Sequence, residues 1–208
     1  MKSAFNRLKP DKKLNIIKTC IHEFGAAGYD HCSLDSIIQN AGISKGGLYE
    51  YIDSKEDLFI FIVEYCYSRL YDYIENYLSI RNENLPEDIL DRFSIVSAIA
   101  IDFYIDHPET IAFIVKCNYL SDATLHKQAQ DIFLLQFERL FGNISSEIPY
   151  AYDCKSILEL LQWLLIKTRN DFLLELESGK KSEEVKIAYL NQWKFYLSLL
   201  RNGIFFKK

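Results

Sequence analysis

Hydroxyl-bearing and basic side chains recur between residues 33 and 55, close to points where the sequence predicts the start of a helix. Backbone N–H groups at the helix starts near Ser33 and Ser44 can hold phosphate, helped by the helix dipole. Tyr49 and Tyr51 can donate their hydroxyls to phosphate while their rings pack, and Lys55 adds a point charge. Together these residues predict a surface that contacts phosphate groups.

The elements that must position these groups are predicted to be short helices. A first helix ends in the glycine–alanine run 25–28. Ser33 suits the N-cap of a short apolar helix that Gly42 ends, and Ser44 can cap a second short helix over 45–51. A helix, a tight glycine turn and another helix in this order are typical of a helix-turn-helix.

The rest of the chain shows helical periodicity and no alternating run of useful length, so the predicted fold class is all-α. Glycine and proline number only 8 and 4, which leaves little room for the turns of a sandwich or barrel. The longest loop is predicted over 142–152, and Gly203 is predicted to be a C-cap. Beyond the two short helices, the predicted helices are 10–24, 54–81, 86–106, 108–117, 121–141, 154–178 and 182–202.

The run from Ile16 to Leu58 resembles the TetR family of bacterial transcriptional regulators. The resemblance rests on the spacing of Phe24, Gly28, Tyr29, Ser33, Ile37, Ala41, Gly42, Ile43, Ser44, Lys45, Gly46, Leu48, Tyr49, Ser54, Lys55, Glu56, Asp57 and Leu58. It implies a helix-turn-helix DNA-binding domain over 1–53. It also implies a larger helical domain over 54–208 that dimerises and binds a small effector.

The resemblance further implies which positions contact double-stranded DNA. The implied phosphate contacts are Ser33, Lys45, Tyr49, Tyr51 and Lys55. The positions implied to lie near base edges are Ser44, Gly47 and Glu50, and Gly46 with Gly47 lets the backbone approach the duplex closely.

Several residues depart from the usual pattern of that family. Gly47 removes a possible base-reading side chain, and Glu50 costs affinity unless it accepts a hydrogen bond from a cytosine amine. Ile52 stands where Phe is usual and Ile38 where Ala is usual, and both are expected to repack the small core. DNA binding is still predicted, while the operator sequence cannot be read from these residues.

The charge distribution is uneven along the chain. The formal net charge is −5, which argues against a protein that coats nucleic acid. Residues 1–20 nevertheless hold six basic residues and one acidic residue. A small basic front on an acidic body fits a protein that contacts phosphate at one end, although a solvated basic tail explains the same charges.

Targeting signals and cysteine usage favour a cytoplasmic protein with no membrane association. The first residues lack the apolar core of a secretory signal, and no apolar run approaches the length of a membrane span. The five cysteines include no C-x-x-C pair, so they are predicted to be reduced thiols rather than a disulfide framework or a zinc site.

Three motifs that could indicate other chemistry are better explained by their context. The run 42–46 matches the G-x-S-x-G elbow of hydrolases, but that elbow follows a strand and this run follows a predicted helix. His22, His31 and Cys32 lack the spacing of metal ligands, and the glycosylation sequon at 143–145 has no signal peptide before it. The prediction is therefore a non-enzyme with no catalytic residue, no metal and no cofactor.

The two predicted C-terminal helices, 154–178 and 183–202, are apolar over much of their circumference. A helix this apolar needs cover on two sides. The partner's copies of the same helices can supply it, which favours a four-helix homodimer interface over a helix fully buried in a monomer.

The middle helices are rich in Phe and Tyr, as an aromatic-lined ligand cavity would require, although plain core packing uses the same residues. The candidate ligand-binding residues are Phe103, Phe113, Cys117, Phe133, Trp163 and Asn170.

The function predicted from all these features is a ligand-responsive DNA-binding transcriptional regulator. Its expected action is repression, relieved when a small apolar or aromatic effector releases it from a near-palindromic operator. Two alternatives stay open, namely a helical enzyme that uses the aromatic cavity and a helical adaptor that has lost DNA binding.

Overall fold

The structure is a computed structural model that describes residues 1–142 and 154–203, with side chains from 156 onward in the second range. Within these two ranges the chain forms ten α-helices and one short 3₁₀ turn, and no strand. The predicted all-α fold class is confirmed. The predicted loop beyond Gly142 and the sequon at 143–145 lie outside the described residues.

The helices follow one another with short connections. They are α1 (Ser3–Asn6), α2 (Pro10–His31), α3 (Leu34–Ala41), α4 (Lys45–Tyr49), α5 (Lys55–Arg81), α6 (Ile89–Asp106), α7 (Pro108–Lys116), the 3₁₀ turn (Cys117–Tyr119), α8 (Ala123–Phe141), α9 (Cys154–Glu177) and α10 (Ser182–Asn202).

Most predicted helix ends are confirmed, and the starts of α6 and α8 are corrected. Helix α6 was expected to open at Pro86, but Asp88 caps it by accepting hydrogen bonds from the N–H groups of its first turn. Helix α8 was expected to be capped by Ser121, but the Asp122 carboxylate accepts from the Leu125 N–H at 2.8 Å. In both places a carboxylate close to the predicted start takes the capping role, as short polar side chains at helix starts do.

The chain divides into two compact units. Unit 1 comprises residues 1–69 and 109–136, and unit 2 comprises residues 70–108 and 137–208 as far as they are described. The boundary between the units falls inside α5, at Arg69 and Leu70.

Unit 1 is built on an aromatic core. The Phe59 ring lies edge-on to Phe24 at 5.1 Å between centroids and to Phe113 at 5.4 Å. Helix α2 comes so close to α7 that a Cβ at Gly25 would lie 3.4 Å from the Phe113 backbone nitrogen. Gly28, at φ 74°, interrupts α2 near its predicted end, since this backbone conformation favours glycine.

Unit 2 is built on α10, which packs against both α6 and α9. Its core is also aromatic, with Phe93 contacting Trp193 at 5.7 Å and Phe141 at 4.3 Å between ring centroids. Among the described helices, none is both long enough and apolar enough to span a lipid bilayer.

Candidate nucleic-acid interface

The two short helices α3 and α4 are each started by a serine hydroxyl. Ser33 Oγ accepts a hydrogen bond from the Ser36 N–H at 3.0 Å, and Ser44 Oγ accepts from the Gly47 N–H at 3.0 Å. Both predicted N-caps are confirmed. Since each hydroxyl is occupied by its own helix, Ser33 and Ser44 act first as structural caps, and a role toward DNA would be added to that.

The turn between α3 and α4 depends on Gly42. Its φ of 64° and ψ of 37° place it in the left-handed region, which glycine enters without a steric penalty. The N–H groups of Gly42 and Ile43 return to the carbonyls of Gln39 and Ile38, so the end of α3 is closed by the turn itself. The predicted helix-turn-helix geometry is therefore present.

Helix α3 is also fixed to α2 by side-chain amides. Asn15 Nδ2 donates to the Ala41 carbonyl at 3.0 Å, and Asn40 Nδ2 donates to Glu23 Oε1 at 2.7 Å. Together with packing between α2 and α3, these bonds hold the turn on a stable support.

Helix α4 presents small, basic and aromatic groups to solvent. Lys45 and Gly46 are exposed, and Tyr49 is 43% exposed despite its large ring. The Lys45 ammonium lies 3.3 Å from Asp35 Oδ1 on α3, an exposed pair that a phosphate could displace because such pairs contribute little. Glu50, predicted to lie near base edges, is exposed at the end of α4.

The predicted sites Gly46 and Gly47 differ in the space around them. A Cβ at Gly46 would meet nothing within 4 Å, whereas a Cβ at Gly47 would lie 3.0 Å from Ser44 Oγ. The hydroxyl that caps α4 therefore sits against the backbone where many relatives of this pattern carry a side chain.

Tyr51 and Lys55, two further predicted phosphate contacts, are held by aromatic neighbours. Tyr51 is only 7% exposed, and its ring lies edge-on to Phe5. The Lys55 ammonium lies 4.4 Å from the centroid of the Tyr29 ring, a cation–π contact that fixes the charge at the start of α5.

The N-terminal segment takes part in this region, which sequence reasoning missed. The Lys2 N–H donates to the Tyr51 carbonyl at 2.8 Å, while its ammonium donates to the Tyr49 carbonyl and pairs with Asp53 at 2.7 Å. Phe5 is fully buried beneath it. The sequence analysis took these residues for a basic front, yet a Phe among basic residues was a signal that the segment packs.

The six candidate ligand-binding residues are divided between the two units. Phe113, Cys117 and Phe133 belong to unit 1, where all three are buried, while Phe103, Trp163 and Asn170 belong to unit 2. Phe103 is 1% exposed, Trp163 is 58% exposed, and Asn170 donates its amide to the Ile166 carbonyl of its own helix. No cavity described in either unit is lined by any of the six, so their ligand roles stay predictions.

The cysteines with described side chains are buried free thiols, at Cys20, Cys32, Cys66 and Cys117. Burial is the main cause that raises the pKa of Cys32 to about 11, so this thiol is protonated at neutral pH. The described residues contain no group of three or more His, Cys, Asp and Glu arranged to hold a metal ion.

Comparison with protein families and curated proteins identifies what this geometry resembles. Residues 16–61 match the family described as "Bacterial regulatory proteins, tetR family". The HTH-type transcriptional regulator YerO of Bacillus subtilis is 27% identical over 133 residues, covering 64% of this chain and 45% of YerO. The negative regulator IcaR of the Staphylococcus epidermidis biofilm operon icaADBC is 36% identical over 62 residues, covering 30% of this chain and 34% of IcaR. The chain thus spans less than half the length of these two relatives.

Solved structures share the fold over nearly the whole chain. The fatty acid degradation regulator FadR from Bacillus halodurans superposes with a TM-score of 0.70 at 17% identity, covering 95% of this chain and all of FadR. FadR from Bacillus subtilis, in complex with stearoyl-CoA, gives a TM-score of 0.66 at 17% identity, covering 92% of this chain and 99% of that one. At such identities the likeness establishes the fold.

Proposed function

The chain belongs to the TetR family of bacterial regulatory proteins, and we propose that it is a homodimeric repressor released from its operator by a small apolar effector. The family consists of DNA-binding transcriptional regulators and not of enzymes. The sign of regulation is proposed by analogy with IcaR, which is a negative regulator. The site of action is proposed to be the cytoplasm.

The observation that carries the proposal is the pair of capped short helices joined at Gly42. Serine caps and a left-handed glycine fix α4 against α3, and α4 exposes Lys45, Gly46 and Tyr49. A recognition helix must present such a face to the major groove. We propose that residues 1–53 form the DNA-binding domain and 54–208 the effector-binding and dimerisation domain.

Within that domain the proposed contacts keep the roles that the family pattern implies. Phosphate oxygens are bound by Ser33, Lys45, Tyr49, Tyr51 and Lys55, and base edges lie near Ser44, Gly46, Gly47 and Glu50. The cation–π contact of Lys55 and the exposure of Tyr49 support the phosphate roles, since both groups are held at the surface with free donor capacity.

Dimerisation is proposed to use α9 and α10. These two helices pack on each other and still leave five large apolar side chains at least 41% exposed. The five are Leu160, Trp163, Leu174, Ile187 and Phe195. Partner copies of the same helices would cover them and, through two-fold symmetry, set two α4 helices roughly 34–36 Å apart, the spacing of successive grooves.

Release is proposed to run through α5, which starts directly after the helix-turn-helix and continues into unit 2. An effector bound in the larger domain would shift this helix and change the separation of the two α4 helices. Coupling of this kind is typically about 1–3 kcal/mol. An apolar effector is in keeping with FadR, a protein of the same fold whose structure contains stearoyl-CoA.

DNA binding is tested by gel shift of the full chain on genomic fragments at several salt concentrations. The affinity should fall steeply with salt, because phosphate contacts release counterions. Lys45→Gln should weaken binding to every sequence alike, whereas the matched change Lys194→Gln, an exposed lysine on α10, should not. Failure to bind any duplex in dilute buffer would refute the proposal.

The interface is tested by placing a charge in it. Trp163→Glu with Phe195→Glu should convert the dimer into a monomer in sedimentation and reduce operator affinity. Ile80→Glu is the control, since Ile80 is 86% exposed at the end of α5 and outside the proposed interface. A double variant that sediments as a dimer would exclude this surface.

A further inference from the structure

The core of unit 2 contains a group of buried hydrogen-bond donors among apolar side chains. We name as the donor cluster Tyr71, Tyr104, Arg169, Tyr189 and Trp193, each no more than 3% exposed. They come from α5, α6, α9 and α10, so four helices meet at this group.

A buried guanidinium lies within the donor cluster. Arg169 Nε donates to the Tyr104 hydroxyl at 2.8 Å, and Arg169 also hydrogen-bonds with Tyr71. Burial is the main cause that raises the pKa of Tyr71, and the nearby positive charge of Arg169 opposes it. The partners seen for the cation are therefore neutral phenols, which leave its positive charge available to an anion.

Two further atoms of the cluster make no hydrogen bond. The Tyr189 hydroxyl and the Trp193 indole Nε1 are buried and have no partner within the part of the chain that the structure describes. The Tyr189 ring lies edge-on to Tyr104 at 5.8 Å and contacts Trp193 at 6.5 Å between centroids. A buried polar atom without a partner costs about 1–3 kcal/mol, so these two atoms would gain from a ligand that accepts from them.

The cluster borders a small cavity. Tyr71, Tyr104 and Arg169 line a space of about 20 Å³, whose remaining wall is mainly apolar and includes Ile74, Val96 and Leu165. A space of this size holds one water-sized group. It therefore matches the polar end of a ligand, with the apolar wall suited to the body that follows.

The chemistry of the donors narrows the class of ligand. A guanidinium and an indole N–H can only donate, and phenols can donate to a strong acceptor. A group with two acceptor oxygens and a negative charge satisfies the fork of an arginine best. We propose that the donor cluster binds the carboxylate of a small organic acid with an apolar body, and that such an acid is the effector of the proposed repressor.

Neighbouring features of unit 2 fit this assignment. The larger cleft between α9 and α10, about 180 Å³, has Asp171 and Glu175 on its wall, so an anion is disfavoured there. The other buried arginine of the unit, Arg92, donates to the carbonyls of Pro86 and Leu140 and serves as a structural tie. Because the cavity takes only the carboxylate, entry of the body must move the helices around it, and this movement would be the signal.

The experiment uses the full chain with Trp163→Phe, so that the emission of the remaining tryptophan, Trp193, reports on the cluster. The probes are hexanoate, octanoate and benzoate, each paired with the primary amide of the same skeleton. We expect saturable changes in emission and in thermal midpoint with the acids. The amides should bind at least about tenfold more weakly, since hydrogen bonds to a charged group are about twice as strong.

Variants separate recognition from folding. Tyr189→Phe should weaken acid binding about tenfold and leave the thermal midpoint of the ligand-free protein unchanged or higher, because the lost hydroxyl makes no hydrogen bond there. Tyr196→Phe, a half-buried tyrosine of the same helix beside Lys167, is the matched control and should leave binding unchanged.

The proposal is overturned if no acid changes the emission, if acids and amides bind alike, or if Tyr189→Phe binds as the parent does. The inference rests on the proposed function, and gel shift of the same preparation without acid keeps the two apart. Specific DNA retention without acid binding would leave the regulator and remove the effector class. Acid binding without DNA retention would do the reverse.

Discussion

The α3–α4 turn and the donor cluster are both built from polar side chains, but they satisfy them in opposite ways. In the turn, the serine caps bond to N–H groups three residues away, as Ser33 does to Ser36 and Ser44 to Gly47. In the cluster, Arg169 bonds to Tyr104, 65 residues away. Local bonds form wherever the local sequence allows them, whereas long-range bonds exist only when the whole fold brings the partners together.

The comparison predicts its largest effect at Arg169. Arg169→Leu should destabilise the fold by about 2–3 kcal/mol in urea unfolding, because the buried hydroxyls of Tyr71 and Tyr104 lose their donor. Arg69→Leu, an exposed arginine on α5, should change stability by no more than about 0.5 kcal/mol.

A triple change sharpens this prediction. Adding Tyr71→Phe and Tyr104→Phe to Arg169→Leu should recover most of the lost stability, since removing every partner leaves no buried polar atom behind. A triple variant that is less stable than Arg169→Leu would show that the cost was packing rather than broken hydrogen bonds.

The next effect concerns the caps. Ser44→Ala should cost about 1 kcal/mol of stability by leaving the Gly47 N–H without its acceptor, and Ser33→Ala should cost a similar amount. Ser79→Ala, on the exposed side of α5, serves as the control. If the two cap variants were as stable as that control, the turn would be held by its glycine and its packing instead.

How far the sequence predicts the molecule follows from the same distinction. The caps at Ser33 and Ser44 and the left-handed Gly42 were predictable, because each depends on residues within one turn of helix. The pairing of Arg169 with Tyr104 and the seating of Lys2 on Tyr49 were not, because their partners are 65 and 47 residues apart. The start of α6 was missed for a smaller reason, since Pro86 and Asp88 offered two plausible starts and the carboxylate formed the cap.

A smaller effect is expected from the two glycines of α4. Gly46→Ala meets no neighbour within 4 Å and should stabilise the fold by about 0.5–1 kcal/mol through reduced unfolded-state freedom. Gly47→Ala should gain less, since its Cβ would lie 3.0 Å from the capping Ser44 Oγ. In a Ser44→Ala background the two alanines should become equivalent, which thermal unfolding of the double variants would show.

Both alanines should nevertheless weaken DNA retention in gel shift, if the backbone at 46–47 approaches the duplex as proposed. Greater stability with lower affinity would separate the two roles of this glycine pair. Unchanged affinity in both variants would mean that the pair does not face DNA.

The smallest effect is expected at Asp88, which belongs to both classes of bond. Its carboxylate caps α6 locally by accepting from the N–H groups of Leu90 and Asp91, and it also pairs with Arg201, 113 residues away. Partial burial pushes the pKa of Asp88 up, but the bonds from the Asp91 N–H and from Arg201 outweigh it and lower the pKa from its usual 3.8. A lowered folded-state pKa means that the carboxylate stabilises the fold above pH 3.8 and loses this contribution as the pH falls through the folded value.

Arg201→Gln removes the distant partner and keeps the cap, so it divides the two contributions at one residue. The pKa of Asp88, followed by NMR titration of its carboxyl carbon, should rise toward the usual value, and acid unfolding should begin at a slightly higher pH. The stability lost at neutral pH should stay below about 1 kcal/mol, because the ion pair is partly exposed. Arg7→Gln, in the other unit, should leave the titration unchanged. An Asp88 pKa that does not move in Arg201→Gln would assign the whole shift to the local cap, and a bond across 113 residues would then add geometry but no measurable charge stabilisation.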